Sequence, residues 1–245
     1  MEEKQIIVGR NPVNEALRAG RTINKIYLAR NARSSVNDVI ITMARERHIP
    51  VQHVDKIFLD RLAPNTVHQG VAAQSSPYAY TELEDLLKNI HNTDPLLVLL
   101  DEVTDPHNLG AIIRSADAAG AHGVIIPNRR AAAVTETVVK ASAGAVEFMP
   151  IARVSNIVRS IEFLQKEGLW VAGADMGAEQ LVWNAPLSGP LAIVVGGEDK
   201  GLGRLVREKC DFLVKFPMAG QINSLNASVA AALVLFEAMR QRSKA

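Results

Sequence analysis

Five short apolar runs recur through the second part of this 245-residue chain: 96–100 (Leu-Leu-Val-Leu-Leu), 123–127, 169–174, 191–195 (Leu-Ala-Ile-Val-Val) and 212–216. Each is continuous rather than alternating, the pattern of a strand covered on both faces. Stretches of helical periodicity lie between them, at 108–119, 132–143 and 155–167. Strands that alternate with helices bury their faces in a mostly parallel α/β sheet with helices on both sides. In such a sheet, ligands bind outside the carboxyl ends of the strands. The loops that follow the apolar runs are therefore where function is to be sought.

The chain divides. Residues 1–75 carry expected strands at 23–29 and 70–74 and a helix at 36–47, capped by Ser34 or Ser35, which makes a small α/β unit. Residues 76–93 are polar and turn-rich around a short helix that begins near Thr81, and they read as a linker. Residues 94–245 form the second region. Residues 1–74 hold 11 Lys+Arg against 7 Asp+Glu, and the remainder 16 against 19. A mildly basic first part fits an anionic partner, though ordinary scatter in composition fits as well.

Several function classes are poorly supported. No apolar run approaches the roughly 20 residues that span a bilayer. The longest, 229–236, ends at Glu237 and reads as the buried side of a helix. The charged start leads into no signal-peptide core, and Cys210 is a lone cysteine, so a cytoplasmic home without disulfides is expected. The six histidines show no metal-ligand spacing, so no metal is expected. No G-x-S-x-G elbow occurs, and the few aromatics form no cluster for stacking bases on a sheet.

Three segments stand out at the expected carboxyl edge. In the first, a strand ends in Asp101-Glu102, turns through Asp105-Pro106 and starts a helix near Asn108. Leu109, Ile112, Ile113, Ala116 and Ala119 share one stripe of that helix, and Arg114 faces the opposite side, where it could meet phosphate or ribose. In the second, Gly196-Gly197 follows a buried strand and lets backbone approach a ligand closely, with Glu198 at the same mouth. It completes neither the G-x-x-x-x-G-K-[ST] nor the G-x-G-x-x-G pattern. The third is Asn-Ser-Leu-Asn-Ala-Ser at 223–228, directly after Phe216-Pro-Met-Ala-Gly220. It opens the last helix, with Ser224 as the cap candidate, Asn226 free to face a ligand, and Leu225, Val229, Ala232, Leu233 and Phe236 as the core stripe. Alone, each segment reads equally well as capping or turn chemistry; together they describe a site.

Taken together these residues resemble the SpoU/TrmH family of RNA ribose 2′-O-methyltransferases, over residues 96–239. The family's Asn followed six positions later by Arg is Asn108 and Arg114. Its Gly-x-Glu loop is Gly196-Gly197-Glu198, and its last motif is Pro217-Met-Ala-Gly220 with Ser224-Leu-Asn-Ala-Ser228. The loop departs modestly, with Gly197 where Ser or Ala is common and Asp199 where Gly is common. The first region, with Gly9-Arg-Asn-Pro and Val67-His-Gln-Gly70, looks like the family's RNA-binding domain, as in the bacterial enzymes that methylate a guanosine ribose in 23S rRNA.

The resemblance implies a C-terminal trefoil knot, rare among protein folds. It implies S-adenosylmethionine bound by Ala174, Gly196, Phe216, Ser224 and Leu225, and a homodimer in which both chains shape the active site. Arg114, Asn108, Glu198 and Asn226 would be the catalytic group, with Arg114 holding the ribose and adjacent phosphate and assisting deprotonation of the 2′-OH, and Asn108 and Glu198 fixing its geometry. A tRNA or another rRNA site as substrate, and a non-catalytic RNA binder on the same scaffold, are the alternatives.

Overall fold

A computed structural model describes residues 5–30, 35–64, 66–198, 200–221 and 224–243. Ser34, Asp199 and Asn223, named above, lie outside the described residues. The chain forms two compact units, one of Met1–Ala79 with Ala133–Phe148, the other of Tyr80–Ala132 with Met149–Ala245.

In the first unit the chain runs β1 (Gln5–Val8), α1 (Arg10–Arg18), β2 (Ile23–Ala29), α2 (Ser35–Glu46), β3 (Val51–Val54), α3 (Lys56–Leu62) and β4 (Val71–Ser75). The sheet is four-stranded in the order β1-β4-β2-β3, with β4 antiparallel to both neighbours and β2 parallel to β3. Ile7, Leu17, Ile26, Ile40 and Leu59 are wholly buried in it.

The second unit begins with α4 (Leu83–Lys88) and β5 (Leu96–Asp101), then α5 (Pro106–Ala118) and β6 (Gly123–Pro127). After α6 (Glu136–Ala141), which belongs to the first unit, follow β7 (Ile151–Val154), α7 (Ile157–Lys166), β8 (Trp170–Ala174) and β9 (Gln180–Leu181). β10 (Leu191–Gly196), α8 (Arg204–Lys209), β11 (Phe212–Lys215) and α9 (Ala227–Arg242) complete it. Its seven strands lie in the order β7-β6-β5-β10-β8-β11-β9, and every pair is parallel. Leu97, Leu99, Val124, Ile125, Ile193 and Val194 have no exposed surface, at about 1.5–3 kcal/mol for each large side chain so buried. This is the mostly parallel α/β sheet that the apolar runs predict. Among the described residues no helix is long and apolar enough to cross a membrane.

The division differs in two places from the expected 1–75, 76–93 and 94–245. The supposed linker carries α4, whose Leu83 and Leu86, three positions apart on one face, are buried in the core of the second unit. Its polar composition is that of the exposed face only. Residues 133–148 pack in the first unit instead: Val138, Val139 and Val146 are buried there, and Arg21 pairs with Glu147. No local window of sequence can reveal a segment that packs against residues more than a hundred positions away.

The last helix also differs. Val229, Leu233 and Phe236, expected in the core, are 46%, 40% and 43% exposed, and Met239 is 38% exposed. The buried residues are Ala227, Ala231, Val234, Leu235, Glu237 and Ala238, with Glu237 paired to Arg240. α9 is apolar almost all round, so spacing alone does not select the inward face.

Candidate active site

Because β5, β10, β8 and β11 are adjacent and parallel, their carboxyl ends open on the same edge. A cavity of about 420 Å³ lies there. Ala174 ends β8, Gly196 ends β10 and Phe216 follows β11; all three line the cavity, as do Ser224, Leu225 and Glu198. The structure thus brings to one cavity, from three distant stretches of chain, the five residues that the resemblance implies for the cofactor. It adds others that sequence reasoning missed: Asp175, Met176 and Gly177 after β8, Lys200, and Arg207. Asp175 accepts from the Gly177 N–H at 2.7 Å and pairs with Arg207 at 3.5 Å. A carboxylate just past a strand's carboxyl end was the available signal.

The glycines of the second motif are needed for close approach. A Cβ on Gly196 would run into the backbone of Gly201, and one on Gly197 into the carbonyl of Glu102. Asp101, at the end of β5, anchors this loop twice: its carbonyl accepts from the Gly197 N–H and its Oδ2 from the Gly203 N–H, both at 2.8 Å. Burial raises the Asp101 carboxyl above the usual carboxylate range, the Gly203 N–H lowers it, and neighbouring Glu102 raises it further. The same burial, beside Asp211, pushes the Cys210 thiol up to about 12, so it stays neutral at physiological pH.

Glu198, on the cavity wall, is the centre of a hydrogen-bonded cluster of three motif residues. The Asn108 side chain donates to Glu198 Oε1 in a short contact. Asn226 Nδ2 donates to the same oxygen at 2.7 Å and to Asn108 Oδ1 at 3.0 Å. Asn226 also caps α9: its Oδ1 accepts from the Ser228 N–H at 2.9 Å and from the Ser228 hydroxyl at 2.6 Å. The cap is therefore Asn226 and not Ser224, because only Asn226 stands one position before the helix. Nor is Asn108 a cap. α5 starts at Pro106, and Asp105 caps it by accepting from the His107 N–H at 2.9 Å, which leaves the half-turn-in Asn108 free to reach Glu198. A smaller cavity of about 160 Å³ adjoins, lined by Glu102, Thr104 and also Glu198 and Lys200, so Glu198 stands between two spaces.

Arg114 is not drawn into this cluster. It lies on the exposed face of α5, lines neither cavity, and makes no hydrogen bond or ion pair with another described residue. Its helical stripe is as expected: Leu109, Ile112, Ile113, Ala116 and Ala119 are buried.

Residues 95–236 match the SpoU rRNA methylase family, and residues 6–81 match the RNA 2′-O ribose methyltransferase substrate-binding model. YacO of Bacillus subtilis (strain 168), placed by its name in the TrmH family of tRNA/rRNA methyltransferases, is 46% identical over 99% of this chain and 98% of its own. The SpoU methyltransferase AviRb from Streptomyces viridochromogenes, solved with AdoMet, superposes with a TM-score of 0.83 at 29% identity, covering 99% of this chain and 92% of that one. An AdoMet-bound rRNA methyltransferase from Sinorhizobium meliloti gives 0.83 at 28% identity, over 97% and 87%. The TrmH/SpoU tRNA modifying enzyme of A. aeolicus covers 62% of this chain with a TM-score of 0.56. The chain belongs to the SpoU rRNA methylase family, whose members are S-adenosylmethionine-dependent RNA methyltransferases.

Proposed function

We propose that the protein methylates the ribose 2′-OH of a guanosine in 23S rRNA, working in the cytoplasm as a homodimer. The observation that carries this reading is the hydrogen-bonded convergence of Asn108 and Asn226 on Glu198, which itself lines the cavity together with Ala174, Gly196, Phe216, Ser224 and Leu225. The cavity suits S-adenosylmethionine in size, falling within the roughly 300–1,000 Å³ of small-molecule sites. It suits it in chemistry too, with Phe216 and Leu225 for apolar surface and a bare Gly196 backbone that any side chain would obstruct. When bound, that cofactor supplies an activated methyl group.

The work left to the protein is orientation of the sugar hydroxyl and removal of its proton. Glu198, fixed by two side-chain amides, offers its other carboxylate oxygen to a ribose hydroxyl entering from the smaller cavity. Arg114 holds the ribose and adjacent phosphate. Since it lines neither of the two cavities described at this edge, it serves the site of the partner subunit. The exposed row of Val229, Leu233, Phe236 and Met239 on α9, which packs against α5, is the apolar surface that a second copy would cover. An rRNA substrate is favoured by coverage: the rRNA enzyme of Sinorhizobium meliloti matches nearly the whole chain, the tRNA modifying enzyme of A. aeolicus under two thirds. The tRNA/rRNA naming of the curated relatives keeps a tRNA substrate as the second reading.

Mapping of ribose methylation in rRNA and tRNA from a deletion strain tests this. A single 23S rRNA mark lost is the expected result. Loss of a tRNA mark would establish the second reading. No lost mark, together with no S-adenosylmethionine binding by calorimetry, would leave a non-catalytic RNA binder.

A further inference from the structure

The first unit contains a concavity of about 630 Å³ where the start of α1, the end of β2, α3 and the loop before β4 meet. Its floor is built and not incidental. His68 is 6% exposed; its Nδ1 accepts from the Gly70 N–H at 2.9 Å, so its Nε2–H donates to Asp60 Oδ1, 3.0 Å away. Gln69 and Gly70 both take left-handed backbone conformations, φ 52° and 81°. That bend turns the Gln69 carbonyl toward Arg10, whose Nε donates to it at 3.0 Å. The arginine is held by its Nε alone, and neither Nη group has a hydrogen-bond partner among the described residues. A guanidinium fixed by one edge with its fork unused is arranged for a phosphate. Lys56 supplies a second cation on the lining, Val67 an apolar surface 71% exposed, and the Asp60 oxygen not engaged by His68 an acceptor.

The geometry points to a pocket for one unpaired nucleotide of the RNA: phosphate on Arg10 and Lys56, base face on Val67, and a base N–H on Asp60. This rests on the RNA-methyltransferase reading and specifies which part of the RNA the first unit grips. A duplex presents its bases stacked and its phosphates regularly spaced, and does not fill such a hollow; a looped-out nucleotide does. Asp60 would repel a phosphate placed against it, which directs the phosphate to the Arg10 side of the pocket.

The test uses the full chain, with Arg10→Ala and Val67→Glu as separate variants of half-buried or exposed positions. Binding of a labelled RNA stem-loop and of a fully paired duplex of the same stem is followed by fluorescence anisotropy across salt concentrations. Arg10→Ala is expected to weaken stem-loop binding about tenfold and to reduce the slope of log K against log salt by about one. Val67→Glu is expected to weaken the stem-loop but leave the duplex unchanged. Wild-type stem-loop affinity in both variants, or equal loss on stem-loop and duplex, would overturn the pocket. Unchanged hydrogen exchange in β2 and β4 serves as the folding control for this unit. If the variants bind RNA normally while methylation persists, the pocket alone is wrong. If the wild type uses the pocket yet methylates no ribose, the enzymatic reading is wrong and the pocket stands.

Discussion

The two units place their polar groups in opposite ways. The second keeps a wholly apolar sheet interior and gathers Asp101, Asn108, Glu198 and Asn226 at one edge, where they bond to one another or to the loop backbone. The first carries an ion pair inside: Arg21 and Glu147 have side chains only 8% and 3% exposed, and Arg21 also donates to Gln5 Oε1 at 2.7 Å. Burial raises the Glu147 carboxyl while Arg21 pulls it down, and burial prevails. Polarity therefore has different uses in the two units. In the first it fastens a segment borrowed from the middle of the chain, residues 133–148. In the second it shapes a cavity.

The sharpest way to break this contrast is Arg21→Ala, which leaves Glu147 buried without its partner. A loss of about 3–5 kcal/mol is expected, read by denaturant unfolding and by faster hydrogen exchange in β1 and α6. Exchange in β5 and β10 should not change. Asn108→Ala or Glu198→Ala should act on the other unit alone, lowering methyl transfer about 10²-fold by misplacing the reacting groups, with little change in stability or in S-adenosylmethionine affinity. A parallel loss of cofactor affinity would show the cluster to be part of the binding pocket instead.

Asn226→Ser separates the two roles of one residue. Serine caps nearly as well as asparagine, so stability should hold within about 0.5 kcal/mol, whereas the amide link to Glu198 is lost and activity falls. Asn226→Ala should cost about 1 kcal/mol more. The smallest effect concerns pH. Asp101, Glu136 and Glu147 are all raised, chiefly by burial, so these three groups bind more protons in the folded chain than in the unfolded one above about pH 4. Their contribution to stability is present at low pH and lost as pH rises through the raised folded values. Asp101→Asn, which keeps an acceptor for the Gly203 N–H, should flatten this slope in melting temperatures measured at acid and neutral pH.

Much of the second unit was legible because its signals are local. The short apolar run 191–195, bounded by Gly189-Pro190 and Gly196-Gly197, fits a strand buried on both faces, and it forms β10 with one residue added. The glycine pair and Glu198 could be singled out because a turn after a buried strand constrains residue type directly. The stripe of α5 was readable from its spacing: Leu109, Ile112, Ile113 and Ala116 fall on one face, with Arg114 and Asp117 off it. α9 was not, since alanines and large apolar residues occupy all its faces, and only the packing against α5 and β10 decides which are covered.

By itself the sequence determined the kind of sheet, the edge where ligands bind, and the residues able to do chemistry there, because these follow from periodicity and from the conformational needs of single residues. Tertiary structure alone decided that Asn108, Glu198 and Asn226 share hydrogen bonds across 90 and 118 positions of chain. It alone decided that residues 133–148 serve the first unit, and that Arg114 lines neither of the two cavities described at the sheet edge. Such pairings are chosen by the free energy of burying surfaces together, a property of the whole folded chain that no short window contains.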